Sequence, residues 1–186
     1  MIMRFTTSRT IVEVLDLKYA QLMLDYYIEN KKHLEFWEPV REDGFFTLQS
    51  ISEILEKNQQ ELNNKSALKF AILDKNHGDI MGVCNFTNIV YGSFQACNLG
   101  YSLAERHQGK GLMKEVLESA IYHMFEELKL HRIMANYIPS NIRSEKLLTK
   151  LGFEKEGLAK SYLKIAGKWQ DHILTAKINP KHNHYQ

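Results

Sequence analysis

Arg106-His107-Gln108-Gly109-Lys110-Gly111-Leu112 decides how the chain is read, because it joins a strand to the strongest helix in the sequence. Upstream, Phe94 to Leu103 reads as a strand. Downstream, Leu112, Val116, Ala120, Met124 and Leu128, with Leu117, Ile121 and Phe125 beside them, form one apolar face at helical spacing. Lys114, Glu115, Glu118, Glu126 and Glu127 fall on the opposite, solvated face. The first turn of such a helix leaves backbone N–H groups without intrahelical partners. Together with the positive end of the helix dipole, those donors make a phosphate site. Glycines at 109 and 111 keep side chains out of an anion's approach, and Arg106 and Lys110 add positive charge. By itself the stretch reads either as such a cradle or as a plain turn whose glycines permit the bend. It is not a P-loop, since Gly-x-x-x-x-Gly-Lys-Ser/Thr is absent, and it lacks the third glycine of a dinucleotide fingerprint.

Further along, Asn141-Ile142-Arg143-Ser144-Glu145-Lys146-Leu147-Leu148-Thr149-Lys150-Leu151-Gly152-Phe153 predicts a short helix. Asn141 is a good N-cap and Gly152 a good C-terminal stop. Ser144 shares a face with Leu147, Leu148 and Leu151, so its hydroxyl points toward the sheet. It reads either as a core serine bonded to backbone or as a functional hydroxyl.

The remaining elements follow from periodicity. Thr10 to Leu15 alternates and is β-branched, which predicts a strand. Leu17 to Leu34 and Gln49 to Leu62 carry apolar residues at helical spacing, around an irregular stretch from Phe36 to Gly44. Leu68 to Leu73 and Ile80 to Ile89 are strands about the Asp74 to Asp79 turn. His131 to Ile138, Phe153 to Leu163 and Trp169 to Ile178 complete the strands, and the tail after Asn179-Pro180 reads as polar and loose. The order β-α-α-β-β-β-α-β-α-β-β predicts an α/β (α+β layered) domain, a mixed sheet of about seven strands covered by helices.

At 186 residues the chain suits one domain with a sizeable core, its body running from about 10 to 178. Hydrophobic residues make up 44% and charged residues 25%, which excludes extensive disorder. A net charge of +2 gives no support to specific DNA binding. Cys84 and Cys97 provide neither a disulfide framework nor zinc spacing and read as reduced core thiols. His182 and His184 stand in the tail, and a solvated tail is preferred to a metal site there. The start, Met1 to Thr7, lacks a signal-peptide apolar run, and no stretch is long enough to cross a membrane. The expectation is a cytoplasmic protein without membrane or metal.

Taken together, the Arg106 to Gly111 turn after a strand, and Asn-x-x-Ser opening a short helix that ends Leu-Gly-Phe, resemble the GNAT N-acetyltransferases. Trp37-Glu38-Pro39-Val40-Arg41, Gly92-Ser93-Phe94, Leu99-Gly100-Tyr101-Ser102, Gln108-Gly109-Lys110-Gly111-Leu112-Met113, His131 to Tyr137, Gly152 to Gly157 and Asp171 to Ala176 are similar to the RimJ/RimL branch. The resemblance covers about residues 10 to 178. It implies a twisted sheet with helices on both faces, and a V-shaped split between two central parallel strands, ending near Leu103 and Ile138.

The co-substrate implied is acetyl-CoA. Backbone groups at Tyr101 and Leu103 are expected to pair with pantetheine, and amides from Gln108, Gly109, Lys110, Gly111, Leu112 and Met113 to cradle the pyrophosphate. Asn141 is expected to contact the pantetheine region. Ser144 matches the serine proposed in this branch to protonate the departing thiolate, with Tyr137 a weaker alternative. The acceptor implied is the N-terminal segment of an alanine-starting ribosomal protein, with the ribosome or the assembling small subunit as a further partner. An α-amino group, with pKa about 8 against about 10.4 for lysine, is more often neutral at cellular pH and needs less help from a base. Glu38 is the candidate base; it reads equally as a partner of Arg41 or a contact for the acceptor. The acidic residue that the RimL type carries in the penultimate strand is not evident at Ser161-Tyr162-Leu163-Lys164. Two other readings stand beside this one: acetylation of a small amine such as a polyamine or aminoglycoside, and a non-catalytic CoA-binding regulator.

Overall fold

A computed structural model describes residues 4–76 and 78–182. Met1 to Met3, His77 and His184 lie outside the described residues, so the readings placed on them are not addressed below. Eight strands form one sheet in the order β1-β2-β3-β4-β5-β6-β8-β7. They are β1 Arg4–Thr6, β2 Thr10–Glu13, β3 Leu68–Asp74, β4 Ile80–Val90, β5 Ala96–Leu103, β6 Arg132–Met134, β7 Glu154–Ile165 and β8 Lys168–Ile178. The helices are α1 Ala20–Leu34, α2 Leu48–Asn63, α3 Leu112–Glu127 and α4 Ile142–Lys150. All neighbouring strands are antiparallel except β5 and β6.

The centre of the sheet is buried on both sides, as its composition requires. In β3, Leu68, Phe70 and Ile72 join the core under α3 and α4, while Ala71 and Leu73 join the core under α1 and α2. This is the period-2 alternation of a strand between two helical layers. The predicted apolar face of α3 is buried from Leu112 to Phe125, with Val116, Leu117, Ala120 and Met124 nearly inaccessible, while Leu128 at the C-cap is half-buried. Burying a side chain of leucine size contributes about 1.5–3 kcal/mol, so this face anchors the layer.

Four expectations are corrected. The sheet has eight strands rather than seven, because three residues from Arg4 pair with Thr10–Glu13 across a short turn. That strand is too short to carry a periodic signal. The strand read from His131 to Ile138 is only Arg132–Met134. Beyond Met134 the chain leaves β5 and follows β8: Ala135 N donates to Thr175 O, and Tyr137 pairs with Ile173. The strand read from Phe94 starts at Ala96, since Phe94 sits in the preceding turn. Finally, the tail is tied down as far as His182. Lys181 Nζ meets Glu126 Oε1 at 2.6 Å, and the His182 ring stacks on His131 with centroids 5.7 Å apart. Among the described residues, no helix is long and apolar enough to cross a membrane.

Candidate active site

Strands β5 and β6 pair only through Ala96–Asn98 and Arg132–Met134. From Leu99 onward β5 keeps its partner β4 but loses β6, and a split opens. Strand alternation decides which backbone groups face it. Gln95 O accepts from His131 N and Arg132 N on the β6 side, whereas Ala104 N donates to Met81 O on the β4 side. Odd-numbered residues therefore aim their backbone toward β6, so the amides and carbonyls of Leu99, Tyr101 and Leu103 face the gap. Tyr101 and Leu103 are the two that the sequence singled out.

Where β5 ends, a 3-10 turn, Glu105–His107, leads into the glycine stretch. Gly109 and Gly111 both have positive φ, 73° and 72°, and Gly111 is the N-cap of α3 with no side-chain cap. A Cβ added at either would meet nothing within 4 Å, so the space beside both glycines is open. The first-turn amides of α3 lack intrahelical partners by geometry, and no cap takes them up. The chemistry of this turn fits an anion.

Two details differ from the sequence reading. Gln108 N donates to Glu105 O at 3.2 Å to close the 3-10 turn, so the free amides begin at Gly109. Arg106 does not lend its charge to the cradle: its guanidinium is held by Glu29 at 3.0 Å. Lys110 stays close, with Nζ donating to Arg106 O at 3.0 Å. The charge that does reach the turn comes from Arg143, whose guanidinium donates to Gln108 Oε1.

Helix α1 supports the same end of the sheet through one stripe at i, i+4, i+7. Tyr26 Oη meets Ser102 Oγ at 3.2 Å, Asn30 Oδ1 accepts from Glu105 N at 3.3 Å, and His33 Nε2 meets Gln108 Nε2 at 2.7 Å. The amide nitrogen of Gln108 can only donate there, so His33 Nε2 accepts. Asn30 and His33 went unremarked in the sequence, where a polar residue on a helix reads as solvated. Burial, then Arg106 and Lys110, lower the pKa of His107 in the turn itself.

Across the split stands α4. Asn141 Oδ1 accepts from Ser144 N at 3.1 Å, as an N-cap should. At the other end Gly152 has φ 79°, Gly152 N donates to Thr149 O and Phe153 N to Leu148 O, a Schellman stop. The Ser144 hydroxyl bonds to neither backbone nor cap. It lies 2.6 Å from Tyr101 Oη. Burial pushes the Tyr101 phenol up, to about 12, against the opposing effect of the Ser144 bond. Adjacent residues of α4 thus reach over to β5 and to the glycine turn, Ser144 to Tyr101 and Arg143 to Gln108. Tyr137 is buried, and Glu145 is paired with Lys155.

The α1–α2 loop forms a separate wall. Arg41 donates through Nε and NH2 to Glu38 Oε2, at 3.0 and 2.5 Å. Its guanidinium carbon lies 4.0 Å from the Phe45 ring centroid and 4.8 Å from that of Tyr27. Glu38 O accepts from Ala166 N at the β7–β8 hairpin. These elements enclose an open cavity of about 290 Å³ lined by Tyr27, Leu34, Phe36, Glu38, Val40 and Arg41, among others. The pairing of Glu38 with Arg41 is therefore real, and both bonds converge on one carboxylate oxygen. At Ser161, φ is 47° in a bulge of β7, and its N–H donates to Asp171 Oδ1 at 2.8 Å. The sequence also passed over His172, buried on β8. Its Nδ1 lies 3.0 Å from Gln170 O, a carbonyl that can only accept, so Nδ1 is the donor.

The comparisons agree with this geometry. Residues 16–154 match the model of the acetyltransferase (GNAT) domain. The chain is 46% identical over 177 residues to the [ribosomal protein uS5]-alanine N-acetyltransferase of Escherichia coli K12, covering 95% of this chain and 91% of that one. The crystal structure of ribosomal-protein-S5-alanine acetyltransferase from Vibrio fischeri superposes with a TM-score of 0.91 at 41% identity, over 95% of this chain and 97% of the other. Mycobacterium smegmatis RimJ in complex with CoA-disulfide gives a TM-score of 0.89 at 26% identity, over 97% and 88%. A split parallel pair, an uncapped glycine turn beside it and this degree of likeness have one meaning: the chain belongs to the GNAT acetyltransferase family.

Proposed function

We propose that the chain transfers an acetyl group from acetyl-CoA to the N-terminal α-amino group of a ribosomal protein that begins with alanine. The acceptor in this reading rests on the likeness to the uS5-alanine N-acetyltransferase of Escherichia coli. The observation that supports the acetyl-CoA side is the placement of Arg143 and Ser144, which set a guanidinium on the glycine turn and a hydroxyl on Tyr101 across one split. A diphosphate at the turn and a pantetheine arm along β5 would bring a thioester to that hydroxyl pair. The free amides from Gly109 to Met113, with Lys110 and Arg143, hold the anion. The backbone of Tyr101 and Leu103 pairs with the arm, and Asn141 caps α4 beside it. Acetyl-CoA supplies an activated acetyl carbon with a thiolate leaving group.

The acceptor enters on the face of the α1–α2 loop. Glu38 orients the amine and takes its proton, directly or through a water, with Arg41 holding the carboxylate in place from one oxygen. A base of modest strength suffices, because an α-amine with pKa about 8 is already partly neutral. Ser144 donates its proton to the departing thiolate. An acceptor that is a ribosomal protein places the reaction in the cytoplasm, on the free protein or on the small subunit.

Mass spectrometry of products tests the acceptor. An alanine-starting ribosomal-protein peptide, an internal-lysine peptide and spermidine are offered together with acetyl-CoA. Acetylation of the peptide α-amine is expected; preferential acetylation of spermidine would overturn the reading in favour of a small-amine enzyme.

A further inference from the structure

A serine hydroxyl carries one proton and two lone pairs, so what it can donate to depends on what it accepts from. In a helix such a hydroxyl ordinarily turns back to a backbone carbonyl of the preceding turn. Ser144 does not. Its Oγ lies 2.6 Å from Tyr101 Oη, and the capping is left to Asn141. Only one proton can occupy the line between the two oxygens. If Ser144 supplies it, the proton needed at the thiolate is spent on the phenol. If Tyr101 supplies it, the serine proton is free. A phenol is the stronger acid and so the better donor, and burial in this site keeps it protonated through the neutral range.

We propose that Tyr101 is a positioning residue for acetyl transfer: its phenol donates to Ser144 Oγ and so aims the serine's single proton into the split. This rests on the reading of Ser144 as the acid. In the step, the amine nitrogen bonds to the acetyl carbon and the C–S bond breaks with its electron pair on sulfur. Sulfur takes the Ser144 proton, and the amine nitrogen gives its own to Glu38, directly or through a water. Solvent exchange then returns a proton to the serine and removes the one on Glu38. Tyr101 exchanges no covalent bond. Its donation also polarises the serine O–H, since hydrogen bonds in a chain strengthen one another. The same residue turns its backbone to the gap, so one position of β5 serves both the pantetheine arm and the proton donor.

Tyr101→Phe, Ser144→Ala and the double variant test this, with acetyl-CoA and an alanine-starting peptide. Tyr101→Phe is expected to lower kcat about tenfold, the worth of one net hydrogen bond. Its acetyl-CoA Kd by calorimetry should stay within about twofold, since the lost contact acts on turnover rather than on binding. Ser144→Ala should lower kcat further, and adding Tyr101→Phe to it should lower kcat no more. An equal drop from Tyr101→Phe in both backgrounds overturns the proposal, because the phenol then acts independently of the serine. Loss of acetyl-CoA binding in Tyr101→Phe overturns it as well, leaving a structural role. Full kcat in Ser144→Ala removes the acid reading, and this proposal with it.

Discussion

Arg9 Nε lies 2.7 Å from Glu115 Oε2, joining the β1–β2 turn to the first turn of α3 across 106 residues of sequence. Ser8 Oγ and Arg9 N both donate to Glu115 Oε1, at 2.6 and 3.0 Å, and Arg9 NH1 donates to Lys110 O at 2.9 Å. The glycine turn is therefore gripped from outside by the turn that follows β1, a strand that periodicity could not find. A carboxylate here also complements the positive end of the α3 dipole.

This clamp carries a pH signature. Burial works to raise the Glu115 pKa, but the bonds from Ser8, Thr7 and Arg9 outweigh it and bring it from its ordinary 4.5 to about 2. The folded pKa is depressed, so the stabilisation is fully present above 4.5 and is lost as pH falls toward 2. Glu115→Gln should cost about 1–2 kcal/mol at pH 7, the pair being partly solvated. Denaturant unfolding at pH 7 and pH 3 should show the gap to wild type narrowing at the lower pH. An unchanged gap would rule the clamp out.

Gly111 is confined by its conformation rather than by space. A side chain there meets no neighbour, yet φ is 72°, which costs an ordinary residue about 1–2 kcal/mol. Gly111→Leu should thus fold with a modest loss of stability while placing its side chain in the open space beside the turn. Calorimetry should find acetyl-CoA binding abolished in the folded variant; tight binding would remove the pyrophosphate assignment.

Gly82 presents the opposite case. A Cβ there would sit 2.3 Å from Ser102 O and 2.8 Å from Leu103 Cδ2, so β4 and β5 would have to separate just where β5 borders the split. Gly82→Ala is expected to destabilise by about 1–3 kcal/mol, the usual range for overpacking. Acetyl-CoA affinity should fall with it. Gly100→Ala, with nothing within 4 Å of the new Cβ, is the control and should leave Tm close to wild type.

Glu38 is tested by the shape of a pH profile. Glu38→Gln keeps the volume and removes the proton acceptor. At pH 7 kcat/KM for the peptide should drop about tenfold, at the low end for acid–base catalysis because the amine is already partly neutral. Above pH about 8 the amine loses its proton unaided, so the deficit should shrink. A deficit constant with pH would leave Glu38 only its contact with Arg41.

Much of the architecture is written in local patterns. The apolar face of α3, the hairpin at Asp74 to Asp79, and Asn141 and Gly152 as the two ends of α4 each depend on a few neighbouring residues, whose physics does not await the fold. The glycine turn was legible for the same reason, since its position between a strand and a helix follows from periodicity on either side. Strand ends were less so. Whether His131 to Ile138 stays with β5 depends on β8, some forty residues later: the chain keeps β8 on one side and loses β5 on the other, which opens the split.

By itself, the sequence determined the family, the glycine turn between a strand and a helix, and the short helix that carries Ser144, because each rests on residues close together in the chain. Only the tertiary structure decided what those residues touch. It turned Arg106 to Glu29, brought Arg143 to Gln108, pinned Glu115 with Arg9, and set Tyr101 against Ser144. A side chain several ångströms long can meet any of many partners, and composition does not choose among them. That choice is made when the strands take their register and the helices settle on the two faces of the sheet.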